Sequence, residues 1–122
     1  MPLPQRDRDY EKSSAAAAQQ AKANDMKAIF LSCNQALYEE VLQKMKECGM
    51  RGYTGWEEVT GCGMTDGEPH LGDHAWPTLN SSLIAMAEEP AASRFLDAVR
   101  QLDADNPLLG IRAFWWEIGG TI

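Results

Sequence analysis

The sequence predicts a single α+β domain whose elements follow the order β-α-β-β-α-β. Apolar runs of strand length alternate with two segments in which apolar residues recur every three or four positions, as on one side of a helix. Gly, Pro, Asp and Asn residues separate these segments. With 122 residues, of which 44% are hydrophobic, the chain is long enough to build one two-layer core. We therefore expect one globular domain.

The first strand and the first helix are predicted in the segment that ends at Gly49. The run KAIFLSC, residues 27–33, has the length and composition of a buried strand. Asn34 follows it and is a suitable N-cap residue. Four apolar residues then recur at helical spacing, which predicts one buried side of a helix: Leu37, Val41, Met45 and Cys48.

The remaining elements are two strands, a helix and a last strand. YTGWEEVTG, residues 53–61, is rich in aromatic and β-branched residues and predicts a strand, and SSLIAMA, residues 81–87, predicts the next one. Pro90 suits the first turn of a helix. One side of that helix would carry Phe95, Ala98, Val99 and Leu102. The segment DADNP then ends the helix before a last strand, LGIRAFWWEI, at 109–118.

This order is that of the ferredoxin-like architecture, in which an antiparallel four-stranded sheet carries two helices on one face. Neighbouring side chains of the last strand point to opposite faces, with Ile111, Ala113 and Trp115 on one side and Arg112, Phe114, Trp116 and Ile118 on the other. Leaving the second set in water would forgo about 25 cal/mol for each Å² of apolar surface. We therefore expect the helix-free face to pack against other subunits.

The charge and the cysteine content exclude several classes of protein. The formal net charge is −7, which argues against binding to nucleic acid or to an anionic membrane surface. No apolar run approaches the roughly 20 residues that span a bilayer, and no secretory signal is evident. Three cysteines are too few for a disulfide scaffold. These features favour a cytoplasmic protein without direct membrane insertion.

The first part of the chain differs in composition from the rest. Residues 1–25 contain almost no large apolar side chains, and their four acidic residues balance four basic ones. Ordering such a segment costs roughly 1–2 kcal/mol per residue in backbone entropy, with little apolar surface to offset it. We expect residues 1–25 to be a disordered or weakly helical tail and residues 26–122 to form the domain.

A loop rich in coordinating side chains is predicted between the second and third strands. It contains Cys62, His70 and His74, which together offer one thiolate and two imidazoles. These donors suit Cu, Zn or Ni. The spacing matches no standard metal-binding motif, so the alternative is a solvated polar loop with Cys62 packed beneath it. Cys33 is predicted to be a small buried apolar residue rather than a further ligand.

Residues 26–118 resemble the PII signalling superfamily, the nitrogen regulatory P-II proteins. The resemblance rests on MKAIFL, on a helix that ends in ECGMRGYT, on EVTGCGMTDG and on GIRAFWWEI. It implies a homotrimer that binds effectors in clefts between subunits and contacts a regulated enzyme or transporter through a mobile T-loop, here residues 64–80. By resemblance, one cleft would be lined by Thr54, Gly61, Cys62, Gly63 and Arg112.

The chain differs from typical members of this superfamily directly after its Gly-x-Gly element, residues 61–63. Met64 and Thr65 stand where an Arg-Gln pair is usual, and no tyrosine that could be uridylylated lies between residues 65 and 80. These differences indicate a divergent PII-like protein and argue against full ATP binding. Arg112 lies where a phosphate-contacting lysine is usual, so it would bind an anion or, alternatively, form an ion pair between subunits.

Three functional hypotheses follow, and none of them is enzymatic, because no G-x-S-x-G, P-loop or HExxH motif is present. The first is a regulatory protein that senses a small ligand, with an adenine nucleotide as the ligand that the resemblance implies. The second is a protein that binds a divalent metal through the loop Cys and His residues, similar to the copper-tolerance CutA proteins of the same architecture. The third is an assembly module without a small ligand.

Overall fold

The computed structural model describes residues 25–61 and 79–122, and these form the predicted β-α-β-β-α-β arrangement. The elements are β1 (Met26–Asn34), α1 (Tyr38–Glu47), β2 (Tyr53–Val59), β3 (Asn80–Glu88), α2 (Ala91–Asp105) and β4 (Ile111–Glu117). Each predicted element is present, with its ends within a few residues of the expected positions. The predictions for the tail at 1–25 and for the T-loop-like segment 64–80 fall almost entirely outside the described residues.

All four strands belong to one antiparallel sheet in the order β2-β3-β1-β4. β1 pairs with β3 along its whole length, and Ile29 lies opposite Ala85 on that side and opposite Trp115 of β4 on the other. β2 and β4 are therefore the two edges of the sheet. This topology confirms the predicted α+β ferredoxin-like class.

The two helices pack on one side of the sheet, which we call the covered face. The large side chains that are fully or almost fully buried there are Ile29, Leu31 and Leu83 from the strands, Val41 and Met45 from α1, and Phe95 from α2. Burial of one such side chain contributes roughly 1.5–3 kcal/mol. The covered face is therefore the hydrophobic core of the single chain. In the described part of the chain, no helix combines the length and the apolar character needed to cross a membrane.

The start of the first helical segment is capped as the sequence predicts, although the first turn is tighter than an α-helix. The side-chain oxygen of Asn34 accepts a hydrogen bond of 2.9 Å from the amide of Ala36. A 3₁₀ turn over Gln35–Leu37 follows and leads into α1. Asn34 thus caps the 3₁₀ turn rather than the α-helix itself.

The end of α1 is a Schellman motif. Gly49 has a φ of 81°, which favours glycine because L side chains are strained there. The amide of Gly49 donates to Lys46 O at 3.1 Å, and the amide of Met50 donates to Met45 O at 2.9 Å. Met50 is buried, so the motif also directs the chain back into the core.

The other side of the sheet carries no helix, and we call it the open face, defined by Phe30, Ile84, Met86, Phe114 and Trp116. Phe30 lies opposite both Ile84 and Phe114, so these three side chains form one row across the sheet. Phe114 and Trp116 are 52% and 48% exposed. The predicted alternation along the last strand is therefore confirmed, and the single chain leaves large apolar groups in contact with solvent.

Candidate functional site

Two of the predicted site residues, Thr54 and Arg112, lie on the open face but at opposite edges of the sheet. Thr54 is on edge strand β2 opposite Ile84, and Arg112 is on edge strand β4 opposite Ser32. Three strand spacings separate β2 from β4, which corresponds to roughly 14 Å. One chain therefore does not bring Thr54 and Arg112 together.

Arg112 stands at the end of a polar row that crosses the open face. Ser32 lies beside it on β1, followed by Ser82 on β3, and the hydroxyl of Ser82 donates to the hydroxyl of Ser32 at 3.0 Å. Trp56 of β2 ends the row and is 47% exposed. We call Arg112, Ser32, Ser82 and Trp56 the polar row. It lies next to the row of Phe30, Ile84 and Phe114, toward the end of the sheet where β2 ends and β3 begins.

The guanidinium of Arg112 is exposed to solvent and faces an aromatic ring. Its Cζ lies 5.5 Å from the centre of the Phe114 ring, within the range of a cation–π contact. Within residues 25–61 and 79–122, Arg112 has no acidic partner within ion-pair distance. Both predicted roles for Arg112, anion binding and an ion pair between subunits, remain compatible with this position.

Gly61 lies at the base of the predicted loop, close to the start of β3. A Cβ atom at Gly61 would stand 2.8 Å from Nδ2 of Asn80, so only glycine fits against that amide without a shift. Close to Gly61, the pairing of β2 with β3 shifts in register between Trp56 and Val59. The hydroxyl of Ser81 donates to Glu57 O at 2.5 Å within this irregular stretch. The end of β2 is therefore held to β3 before the chain enters the loop.

The other predicted site residues, Cys62, Gly63, His70 and His74, lie outside the described residues. The metal site on Cys62, His70 and His74 therefore stays a prediction. Residues 25–61 and 79–122 contain no group of three or more His, Cys, Asp or Glu side chains arranged to hold a metal ion.

Cys33 is buried on the covered face, as the sequence predicted. Its side chain is 1% exposed, and burial raises the pKa of the thiol to about 11. The thiol is therefore protonated at neutral pH and unreactive. For Cys48, burial and then the charge of Glu47 also raise the pKa of the thiol.

Ser32 and Ser82 were missed in the sequence, although they lie beside Arg112 on the open face. The available signal was their position in strands with strict alternation, which puts Ser32 on the same face as Phe30. The pairing of the two serines depends on the strand register, which the sequence pattern alone does not reveal. Trp56, at the β2 end of the polar row, is about half exposed.

No protein-family model and no curated protein matches the sequence. The structure, however, is similar to several solved structures. One is CPII from Thiomonas intermedia K12, a nitrogen regulatory PII-like protein bound to ADP, AMP and bicarbonate, with a TM-score of 0.58 and 16% identity over 77% of this chain and 88% of that chain. Another is GlnK from B. subtilis, with a TM-score of 0.58 and 15% identity over 80% of this chain and 88% of that chain.

The chain has the fold of PII-like proteins. A DUF3240 family protein from Shewanella baltica OS155 also has this fold, with a TM-score of 0.56 and 13% identity over 80% of this chain and 97% of that chain. At these identities the shared property is the fold, so site residues have to be argued from this chain itself. The PII-like resemblance that the sequence motifs indicated is confirmed at the level of the fold.

Proposed function

We propose that this protein is a PII-like regulator that senses a small ligand in clefts between copies of the chain. The observation that carries the proposal is the position of Thr54 and Arg112 on the open face, at opposite edges of one sheet. These edges are too far apart to serve one small ligand within a single chain. They meet when the β2 edge of one copy lies beside the β4 edge of the next, which is how a cyclic assembly would arrange them.

The open face supports assembly with further copies of the same chain. Phe30, Met86, Phe114 and Trp116 form a contiguous apolar patch there, and each is between 37% and 52% exposed. Monomeric soluble proteins rarely expose such clusters, because burying them contributes about 25 cal/mol for each Å². The resemblance to PII proteins makes a homotrimer the assembly we propose.

The ligand we propose is an adenine nucleotide with few phosphates, AMP or ADP. CPII, which has the same fold, is described as bound to ADP and AMP. Among the described strand residues of the open face, Arg112 is the single cation, and one guanidinium offsets little of the charge of a triphosphate in a chain of net charge −7. Ordering of the loop at 64–80 on ligand binding would then change its contact with a regulated protein. We place this non-catalytic function in the cytoplasm.

A thermal-shift panel with AMP, ADP, ATP and bicarbonate tests the proposal, because a ligand that binds the folded state raises the unfolding midpoint. We expect AMP or ADP to stabilise the protein and Arg112→Gln to reduce this effect. Lys46→Gln is the matched control, since Lys46 is an exposed cation on α1, away from the open face. Equal stabilisation of both variants would contradict the role of Arg112, and absence of any nucleotide effect would contradict the proposed ligand.

The second candidate function is metal binding through Cys62, His70 and His74, and the composition of the loop favours it. The same panel with Zn²⁺, Cu²⁺ and Ni²⁺ tests it. A metal effect that weakens below about pH 6.5, where imidazoles protonate, and that disappears in the variant with both His70→Ala and His74→Ala would support this function. A metal effect unchanged in that variant would exclude this site. If neither nucleotides nor metals stabilise the protein, the assembly module gains support.

A further inference from the structure

The covered face of the sheet is not buried at its two edges. One row across this face, which we call the helix-side row, consists of Tyr53 on β2, Ala85 on β3, Ile29 on β1 and Trp115 on β4. Ala85 and Ile29 in the middle are 1% and 0% exposed, whereas Tyr53 and Trp115 at the ends are 48% and 46% exposed. The row therefore ends on both sides in a large aromatic side chain that the two helices do not cover.

A groove lies beside Trp115, between α2 and the edge strand β4. Its volume is about 180 Å³, and the apolar residues that line it are Leu96, Val99, Ile111, Ala113 and Trp115. Arg100 and Asp103 also line it, and both are exposed to solvent. Because small-molecule sites have volumes of roughly 300–1,000 Å³, the groove is too small for one. At roughly 30 Å³ for each water-sized group it holds roughly six of them, which is about the size of one aromatic ring.

The outer edge of β4 is suited to pair with a further strand. Among the described residues β4 pairs only with β1, without a register shift. Proteins that keep an edge strand unpaired usually protect it with proline, lysine or a bulge. The sequence of β4, IRAFWWE, contains neither proline nor lysine. The described part of the chain therefore leaves a regular and mainly apolar edge beside the groove.

The β2 edge of another copy matches the β4 edge in direction and in level. Within one chain β2 and β4 run in opposite directions, because each of the neighbouring pairs in the order β2-β3-β1-β4 is antiparallel. A rotation about an axis along the strands therefore brings β2 of one copy beside β4 of the next as an antiparallel pair. Such a rotation shifts no residue along the axis. The two ends of the helix-side row, Tyr53 of one copy and Trp115 of the next, then lie opposite each other.

We propose that Tyr53 of one copy inserts into the groove between α2 and β4 of the next copy and packs on Trp115 there. This inference rests on the cyclic arrangement in the proposed function, and it adds the side chains that join the copies on the helix side of the sheet. A tyrosine suits the groove because its ring is apolar and its hydroxyl remains at the rim, beside the polar groups of Arg100 and Asp103. The next copy thus covers both exposed ends of the helix-side row.

Disulfide trapping in the full chain tests this junction. With Cys48→Ser and Cys62→Ser in the background, the remaining native thiol is that of Cys33, which is buried. We expect Tyr53→Cys together with Trp115→Cys to give covalently linked dimers and trimers on mild oxidation. Opposite residues of an antiparallel pair have Cα atoms roughly 4.5–5.5 Å apart, which is within the range of a disulfide. The circular dichroism spectrum of the reduced variant checks that the fold is kept.

The matched control has the same number of thiols at the wrong level of the sheet. It combines Tyr53→Cys with Leu108→Cys in the same background. Leu108 is exposed and precedes β4, whose first residue, Ile111, is already roughly 14 Å along the strand from Trp115. This control should stay unlinked. Each single-cysteine variant should also stay unlinked, since the junction joins two different edges.

Replacement of the tyrosine tests its own contribution. We expect Tyr53→Ala to weaken the association of copies about tenfold or more, because truncation of a buried aromatic side chain in an interface has a large effect. Tyr53→Phe keeps the ring and should retain most of the association. Sedimentation over a dilution series measures both variants against the unmodified protein.

The outcomes distinguish this junction from the assembly in the proposed function. Linked trimers from the Tyr53 and Trp115 pair, with none from the Tyr53 and Leu108 pair, support the junction. If the unmodified protein has the mass of three chains but the first pair stays unlinked, or if both pairs link equally, the junction is overturned while the assembly stands. Association of Tyr53→Ala that is as tight as that of the unmodified protein also overturns it. A monomeric mass of the unmodified protein overturns both.

Discussion

The two faces of the sheet use alternate residues of the same strands, yet on the central strands β1 and β3 their large side chains differ in burial. On the covered face, Ile29 and Leu83 are 0% exposed, whereas on the open face Phe30 and Met86 are 37% and 45% exposed. Both sets are large and apolar, so composition does not explain the difference. The covered face has its partners within the chain, α1 and α2. The open face has no such partner among the described residues, and we attribute its apolar character to assembly.

The largest expected effect on the covered face comes from Phe95→Ala. Phe95 is 0% exposed in the centre of the core, and removal of a buried aromatic side chain typically costs about 3–5 kcal/mol of unfolding free energy. Urea unfolding measures this loss. Leu108→Ala is the control, because Leu108 is 97% exposed and should change stability by less than about 0.5 kcal/mol. Similar losses for both variants would contradict the assignment of the core.

A second prediction concerns the close approach of α1 to the covered face of β2. A Cβ atom at Gly55 would overlap the hydroxyl oxygen of Tyr38, which donates to Ser82 O at 3.5 Å. We expect Gly55→Ala to destabilise the fold by about 1–3 kcal/mol through overpacking. Because Tyr38→Phe removes that oxygen, Gly55→Ala should cost less in this background. Thermal unfolding of all four combinations gives the coupling, and simple additivity would rule out this contact as the cause.

Because the Cys33 thiol is buried, we expect the folded protein to lose stability at alkaline pH. Burial raises the pKa of its thiol from 9.0 to about 11, so the unfolded chain releases the proton at lower pH than the folded one. The stabilising effect of the protonated, buried thiol is complete below pH 9 and is lost as the pH rises toward 11, by about 2–3 kcal/mol. Unfolding free energies of the unmodified protein and of Cys33→Val should therefore diverge above pH 9. Parallel pH profiles would contradict the burial of this thiol.

The smallest of these effects is expected at the end of α1. Gly49 has a positive φ, and an L side chain there costs roughly 1–2 kcal/mol, so we expect Gly49→Ala to lower the unfolding free energy by about 1 kcal/mol. Gly52→Ala is a useful comparison. Neither glycine has a neighbouring atom within 4 Å of an added Cβ, but Gly52 has no positive φ. Chemical denaturation distinguishes the two, and equal losses would show that the backbone conformation of Gly49 is not the cause.

Much of the fold could be predicted from the sequence because its signals are local. The two-residue alternation along β4 placed Phe114 and Trp116 on the face opposite Ile111, and the structure confirms it. The contact between Tyr38 and Gly55 could not be predicted in this way. It depends on how α1 lies over the edge of the sheet, and no local pattern in the sequence records that packing.

The candidate site was less accessible to sequence analysis. The sequence placed Thr54 and Arg112 on strands, but the strand order β2-β3-β1-β4 is what separates them by the width of the sheet. The metal site on Cys62, His70 and His74 stays a prediction.

The molar mass of the protein in solution tests the central claim most directly, namely that the open face is covered by further copies of the chain. Sedimentation equilibrium of the unmodified protein should give three times the mass of one chain. Phe114→Glu, which places a charge in the middle of the open face, should give the mass of one chain with an unchanged circular dichroism spectrum. A monomeric mass for the unmodified protein would contradict this account.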